Sequence, residues 1–418
     1  VAVKQPAYVR ACNRLGAGLA GLGVELPALH ADLLLRRAVR RTGLEDFGPH
    51  FSREGLERLT ADLAETAALS QVGRIAARFN LLDHLCVNLR LTEYRAGRPE
   101  VAAQVLDRPL FIVGLPRTGT TILFELIAQD PQFRSPASWE VRKPLPPPAR
   151  EDYDSDDRIR STDRLLGLLE KLAPGFRAIH AIGARLPQEC VYLLASSFLS
   201  EQFGYMYNVP RYRSWLLQQD MSGAYAWHAR FLQHLQVDCS ARHWVLKTPA
   251  HLACLQSLVA QYPDARIVWT HRRPLDAIAS FSSLATTLRR GFSDAVDPLA
   301  VGDYEMSHYA RVVEMGMAQR GALAPSQCFD VGFADICADP LAVVQAVYAH
   351  FGLSLGAAAR AAMERYLQRR PRYLYGEHRY SWEQFGLLPD REAELYGPYL
   401  ERYGQWLTGQ AALSRFVG

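Results

Sequence analysis

The first hundred residues place apolar side chains at helical spacing. Residues 29–44 set leucines against arginines so that one face is greasy and the other charged. Residues 56–69 and 75–91 repeat the amphipathic pattern. These stretches predict a helical N-terminal extension over residues 1–105, which carries no chemical motif. From Pro109 the period changes. Short β-branched or aromatic runs at 110–114, 243–246 and 265–270, and a weaker one at 326–331, read as strands. Helical patterns follow them at 120–128, 251–261, 274–288 and 340–351. That alternation predicts an α/β fold, with a parallel sheet flanked by helices over residues 106–418. Ligands in such sheets bind beyond the carboxyl ends of the strands, so the chemistry is expected just after those runs.

Composition narrows the function classes. The 47 basic and 43 acidic residues give a net charge of +4, too mild to argue for nucleic acid but compatible with a local basic cleft. Hydrophobic residues at 49% and charged residues at 22% fit a globular chain with a large core. The seven cysteines include no C-x-x-C pair, and their odd number argues against a disulfide framework or a metal site. Reduced thiols fit a cytoplasmic protein. No segment reads as a signal peptide, and the apolar run at 190–199 is too short to span a bilayer. Residues 143–157 are proline-rich and then acidic, which predicts a surface loop.

The first chemical signal is Gly114-Leu-Pro-Arg-Thr-Gly119-Thr-Thr121 between a strand and a helix. The two glycines permit a tight turn whose backbone N–H groups converge on an anion, and the following helix adds its positive end. Thr118, Thr120 and Thr121 supply hydroxyls, and Arg117 supplies the cation. A triphosphate loop would carry lysine where Thr120 stands. A P-loop kinase or nucleotide hydrolase is therefore the weaker alternative. The second signal follows the strand at 265–270. Arg272 precedes Pro274 at a helix start, and Ser280 lies eight residues past Arg272. An arginine fork with a hydroxyl makes a dianion clamp. Two clamps in one chain suit a nucleoside with a phosphate at each end. Lys247, in VLKTPAH, stands at a strand end where it can stabilise developing charge.

GLPRTGTT followed by HRRP and a later serine resembles the sulfotransferases that use 3′-phosphoadenosine 5′-phosphosulfate (PAPS). The likeness is to their bacterial branch through PRTGTT and LKTPAH, and to tyrosyl-protein sulfotransferases through the loop. It covers residues 109–283 well, and 378–387 less specifically. The resemblance implies a P-loop-like sheet. It also implies that residues 117–121 hold the 5′-phosphosulfate, that Arg272 and Ser280 hold the 3′-phosphate, and that Lys247 assists the bridging oxygen. Transfer of a sulfuryl group to a hydroxyl of an organic acceptor would leave adenosine 3′,5′-bisphosphate (PAP) and need no metal. Two residues compete as general base. Glu140 resembles the glutamate of tyrosyl-protein and some bacterial enzymes. His251 is similar to the histidine of the cytosolic animal enzymes, but lies four residues after the lysine instead of two.

The acceptor is not named by the sequence. The aromatic-rich stretch 188–208, with Glu189, Phe198, Phe203, Tyr205 and Tyr207, reads as core packing or as a lid over an apolar acceptor. Trp139, Tyr225 and Trp227 are candidates to stack on adenine or acceptor, His228 and His234 are structural, and Arg379 and Tyr380 are candidates to close over the nucleotide. The partner is a small molecule with a hydroxyl, with no nucleic acid and no membrane span. Homo-oligomerisation is left open.

Overall fold

A computed structural model of the chain describes residues 5–22, 26–369 and 380–408. Five strands form one sheet in the order β2-β3-β1-β4-β5: β1 (Leu110–Gly114), β2 (Phe133–Arg134), β3 (His243–Lys247), β4 (Arg266–His271) and β5 (Cys328–Gly332). Every pairing is parallel. Parallel sheets are covered on both faces, and β1 shows why this one is. Phe111 and Val113 enter one apolar core, whereas Leu110 and Ile112 enter another on the opposite face. Four of the strands were expected. The two-residue β2 has too little sequence to carry a period.

Before the sheet come α1 (Ala7–Gly21), α2 (Ala31–Thr42), α3 (Arg53–Glu65) and α4 (Gln71–Ala96), then a one-turn helix at Pro99–Ala102. The leucine periods of α2, α3 and α4 put Leu34, Leu59 and Leu81 in the same core that receives Phe111 and Trp269 from the sheet. α1 falls within the expected helical extension, although its small residues Ala and Gly blur the period. A 22-residue helix at Pro298–Gln319 was missed.

The chain after β3 departs from expectation. Instead of a helix opening at His251, Pro249–Cys254 forms a 3₁₀ turn and the α-helix begins at Leu255. Helix Pro274–Arg289 follows β4 as predicted, with Pro274 at its first turn.

Candidate active site

The carboxyl ends of β1, β3 and β4 lie side by side, and the loop after β1 is shaped by three left-handed backbone positions. Gly114 has φ 138°, and a Cβ there would sit 2.5 Å from the Thr270 carbonyl oxygen. Only glycine lets β1 end this close to β4. Gly119 has φ 86° and stands immediately before helix Thr120–Ile127. Between them Arg117 has φ 66°, a conformation that costs a side-chain-bearing residue about 1–2 kcal/mol. Hydrogen bonds hold it there. Arg272 Nη1 donates to the Arg117 carbonyl at 2.8 Å. The Arg117 guanidinium donates through Nε to Ser280 Oγ at 3.1 Å and through Nη1 to the Ile179 carbonyl at 3.2 Å. The two turns singled out in the sequence therefore touch, although 155 residues separate Arg117 from Arg272.

Thr118 plays a different part from its neighbours. Its hydroxyl donates to the Leu115 carbonyl at 2.7 Å and lies 2.6 Å from Thr270 Oγ1. It ties the loop to β4 and does not line the cavity that opens over the loop. That cavity measures about 630 Å³. Its lining includes Arg117, Gly119, Thr120, Thr121 and Arg272, together with the apolar and aromatic side chains of Leu166, Leu169, Phe176, Tyr192, Phe281 and Leu288. Among the described residues neither Arg117 nor Arg272 forms an ion pair with a carboxylate. Burial lowers the pKa of Arg117, and Arg272 beside it adds to this. Two guanidiniums that ion-pair with no described carboxylate, beside a helix start, have the chemistry to receive an anion, with Glu189 acting on Arg117 only through its field.

Lys247 and Glu189 line the same cavity. Lys247 is the last residue of β3. Its ammonium pairs with Glu189 Oε1 and donates to Thr121 Oγ1 at 3.3 Å. Thr248 Oγ1 donates to the other Glu189 oxygen at 3.3 Å. Glu189 is brought there by a backbone bridge between Ala137 and Pro187, reinforced by Gln188 N donating to the Pro136 carbonyl at 2.7 Å. Burial opposes ionisation of Glu189, but Lys247, His180 and the two donated hydrogen bonds outweigh it and hold its pKa below the usual carboxylate value. The cavity thus holds, beside Lys247, a carboxylate whose charged form is favoured. Sequence reasoning placed Glu189 only in an aromatic stretch. Its partner lies 58 residues away, so no local signal marked it.

The two expected bases lie elsewhere. Glu140 is fully buried, with Oε2 2.5 Å from Arg134 Nη2 and Oε1 accepting from Ala137 N at 2.7 Å. Burial raises its pKa and Arg134 opposes that rise. It braces the turn that leads to Ser138 and Arg142, which do line the cavity. His251 is fully buried beneath the site, its Nδ1 2.6 Å from the Tyr225 hydroxyl and its ring edge-on to Phe111. Burial lowers its pKa far below the ordinary value, so the ring is neutral. Neither residue lines the cavity.

Other aromatic expectations also resolve by burial. Trp139, Tyr225 and Trp227 are core side chains and do not line the cavity, whereas Tyr205 does. Phe198, Phe203 and Tyr207 are core residues. Tyr380 acts on the charge of Arg117, while Arg379 lies outside the described residues. Among the described residues one trio could offer donors to a metal ion: Cys190, His228 and His251 bring ligand atoms within 4.8 Å of one another. All three are buried, which raises the pKa of the thiol and lowers those of both rings.

Comparison with known proteins agrees with this arrangement. The sulfotransferase family model matches residues 109–356. The crystal structure of sulfotransferase STF1 from Mycobacterium tuberculosis H37Rv superposes with a TM-score of 0.79 at 33% identity, covering 89% of this chain and 99% of that one. That of sulfotransferase STF9 from Mycobacterium avium gives 0.80 at 26% identity, covering 92% and 100%. Omega-hydroxy-beta-dihydromenaquinone-9 sulfotransferase Stf3 of Mycobacterium tuberculosis (strain CDC 1551 / Oshkosh) is 25% identical over 328 residues, 74% of this chain and 78% of Stf3. The touching turns, the strand-end lysine and these likenesses converge on one conclusion: the chain belongs to the sulfotransferase family.

Proposed function

We infer that the chain binds PAPS across its two turns and transfers the sulfuryl group to a hydroxyl on a largely apolar acceptor, with Glu189 as the general base. The observation that carries this reading is the Lys247–Glu189 pair, in a cavity lined both by Arg117 and Arg272 and by apolar side chains. Thr120, Thr121, Gly119 and Arg117 hold the phosphosulfate end, and Arg272 with Ser280 holds the 3′-phosphate. Thr118 supports the loop from behind.

The acceptor packs against the apolar lining and presents its hydroxyl to Glu189. Glu189 accepts the hydroxyl proton as the oxygen forms its bond to sulfur. The bond from sulfur to the 5′-phosphate oxygen breaks, and that oxygen leaves as part of PAP. Lys247 and Arg117 stabilise the charge that collects on it, an electrostatic contribution often worth several kcal/mol. The same lysine that holds Glu189 ionised in the free protein is drawn toward the leaving oxygen, which frees the carboxylate and raises its basicity. The Stf3 relative is by name a sulfotransferase of an omega-hydroxy compound, which accords with a hydroxyl acceptor.

The test is turnover with PAPS and a series of primary alcohols of increasing apolar length. PAP release that rises with apolar length supports the reading. No release from any alcohol or phenol, with PAPS bound, would overturn the acceptor class.

A further inference from the structure

The described residues expose eleven large hydrophobic side chains, and six of them lie on or immediately after α1 and on α4. Four belong to α1 and its end: Tyr8 is 64% exposed, Leu15 74%, Leu19 42% and Leu22 79%. At 100° per residue they form a stripe roughly 60° wide. It lies to one side of the buried face, where Val9, Asn13 and Gly16 pack on α4. α4 adds exposed Ile75 and Phe79. An apolar stripe that the fold does not bury marks an interaction surface.

Charge and position say what covers it. The first 44 residues carry seven basic and two acidic side chains, a local excess of +5 in a chain whose net charge is +4. Arg36 and Arg40 project from α2 into solvent. At the other end of α1, Gln5 Nε2 donates to the carbonyls of Leu172 and Arg290 at 3.0 and 3.1 Å. Those carbonyls lie three and two residues beyond Leu169 and Leu288, which line the cavity. No described helix is long and apolar enough to cross a membrane. We propose that α1, with the basic face of α2, seats the protein on an anionic lipid surface and brings the cavity's apolar lining at Leu169 and Leu288 to the bilayer from which the acceptor is taken. The part about the acceptor rests on the reading of the cavity above; the docking itself does not. Apolar insertion and arginine attraction to anionic headgroups act together in such peripheral contacts.

Sedimentation with lipid vesicles tests this without turnover. The full chain is expected to pellet with phosphatidylglycerol-rich vesicles, to stay soluble with pure phosphatidylcholine, and to be released by high salt. Leu15→Asp with Leu19→Asp should weaken partitioning by about tenfold or more. Arg36→Glu with Arg40→Glu should weaken it by a similar factor, given about fivefold per charge at an anionic surface. PAP affinity should be unchanged in both, which reports intact folding and separates this test from that of the transfer reaction. The proposal is overturned if the wild-type chain stays in the supernatant with anionic vesicles. It is equally overturned if the stripe joins two copies, seen as a dimer that Leu15→Asp splits without any vesicle binding.

Discussion

Glu189→Gln is the most informative single change. It keeps the shape of the side chain and its contact with Thr248 while removing the negative charge. Two consequences follow from the structure. The Lys247 ammonium, whose side chain is 3% exposed, loses its carboxylate partner. The acceptor hydroxyl loses its proton acceptor. A general base contributes about 10²–10⁴ in rate, or roughly 3–5 kcal/mol of barrier. PAP affinity should hold or rise, because an unpaired Lys247 is free to meet the phosphate. The assay is steady-state PAP release, with PAP binding by calorimetry and melting temperature measured on the same sample. Glu140→Gln is the contrast. It leaves Arg134 as an uncompensated buried cation, costing about 3–5 kcal/mol of stability, while kcat of the folded protein stays near wild type. A Glu189→Gln enzyme that keeps kcat within about threefold of wild type would refute the assignment, since no base loss is that small.

Three further outcomes follow from the packing. Gly114→Ala should abolish PAP binding, because its Cβ would lie 2.5 Å from a backbone oxygen of β4; retained binding in calorimetry would show that the loop does not depend on this approach. Glu305→Ala should lower stability by about 3–5 kcal/mol in urea titration, because Glu305 accepts from Arg213 at 2.8 Å and from Arg289 at 2.6 Å with all three side chains buried. Burial opposes ionisation of Glu201, but Arg213 and His308 outweigh it and hold its pKa at about 2, against an ordinary 4.5. That depressed carboxylate contributes about 3 kcal/mol above pH 4.5, lost as pH falls from about 4.5 to about 2; Glu201→Gln should flatten this part of the acid unfolding curve.

Much of the sheet and both turns were legible in the sequence, for physical reasons. β1, β3 and β4 are short, fully buried and flanked by turn or proline signals, so length and composition identify them. Gly114, Arg117 and Gly119 mark a turn through local chemistry alone. Arg272 and Ser280 keep a fixed helical spacing. What the sequence hid depends on long-range contacts. Glu189 reaches Lys247 only because an edge bridge from Pro187 to Ala137 folds a distant segment over β3. Glu140 and His251 carry the residue types expected of bases, yet Arg134, six residues away, and Tyr225, twenty-six residues away, hold them inside the core. Residue type and spacing do not report burial. Thr118 illustrates the same point within the loop, since its hydroxyl turns inward to Thr270.

The grip on both ends of a bisphosphate nucleotide is tested most directly by calorimetric comparison of PAP with adenosine 5′-phosphate. The 3′-phosphate should meet Arg272 and Ser280, and a charge-assisted contact of roughly 1.5–3 kcal/mol makes PAP tighter by about tenfold to a hundredfold. That advantage should vanish in Arg272→Ala. Equal affinities for the two nucleotides in the wild-type protein would contradict it.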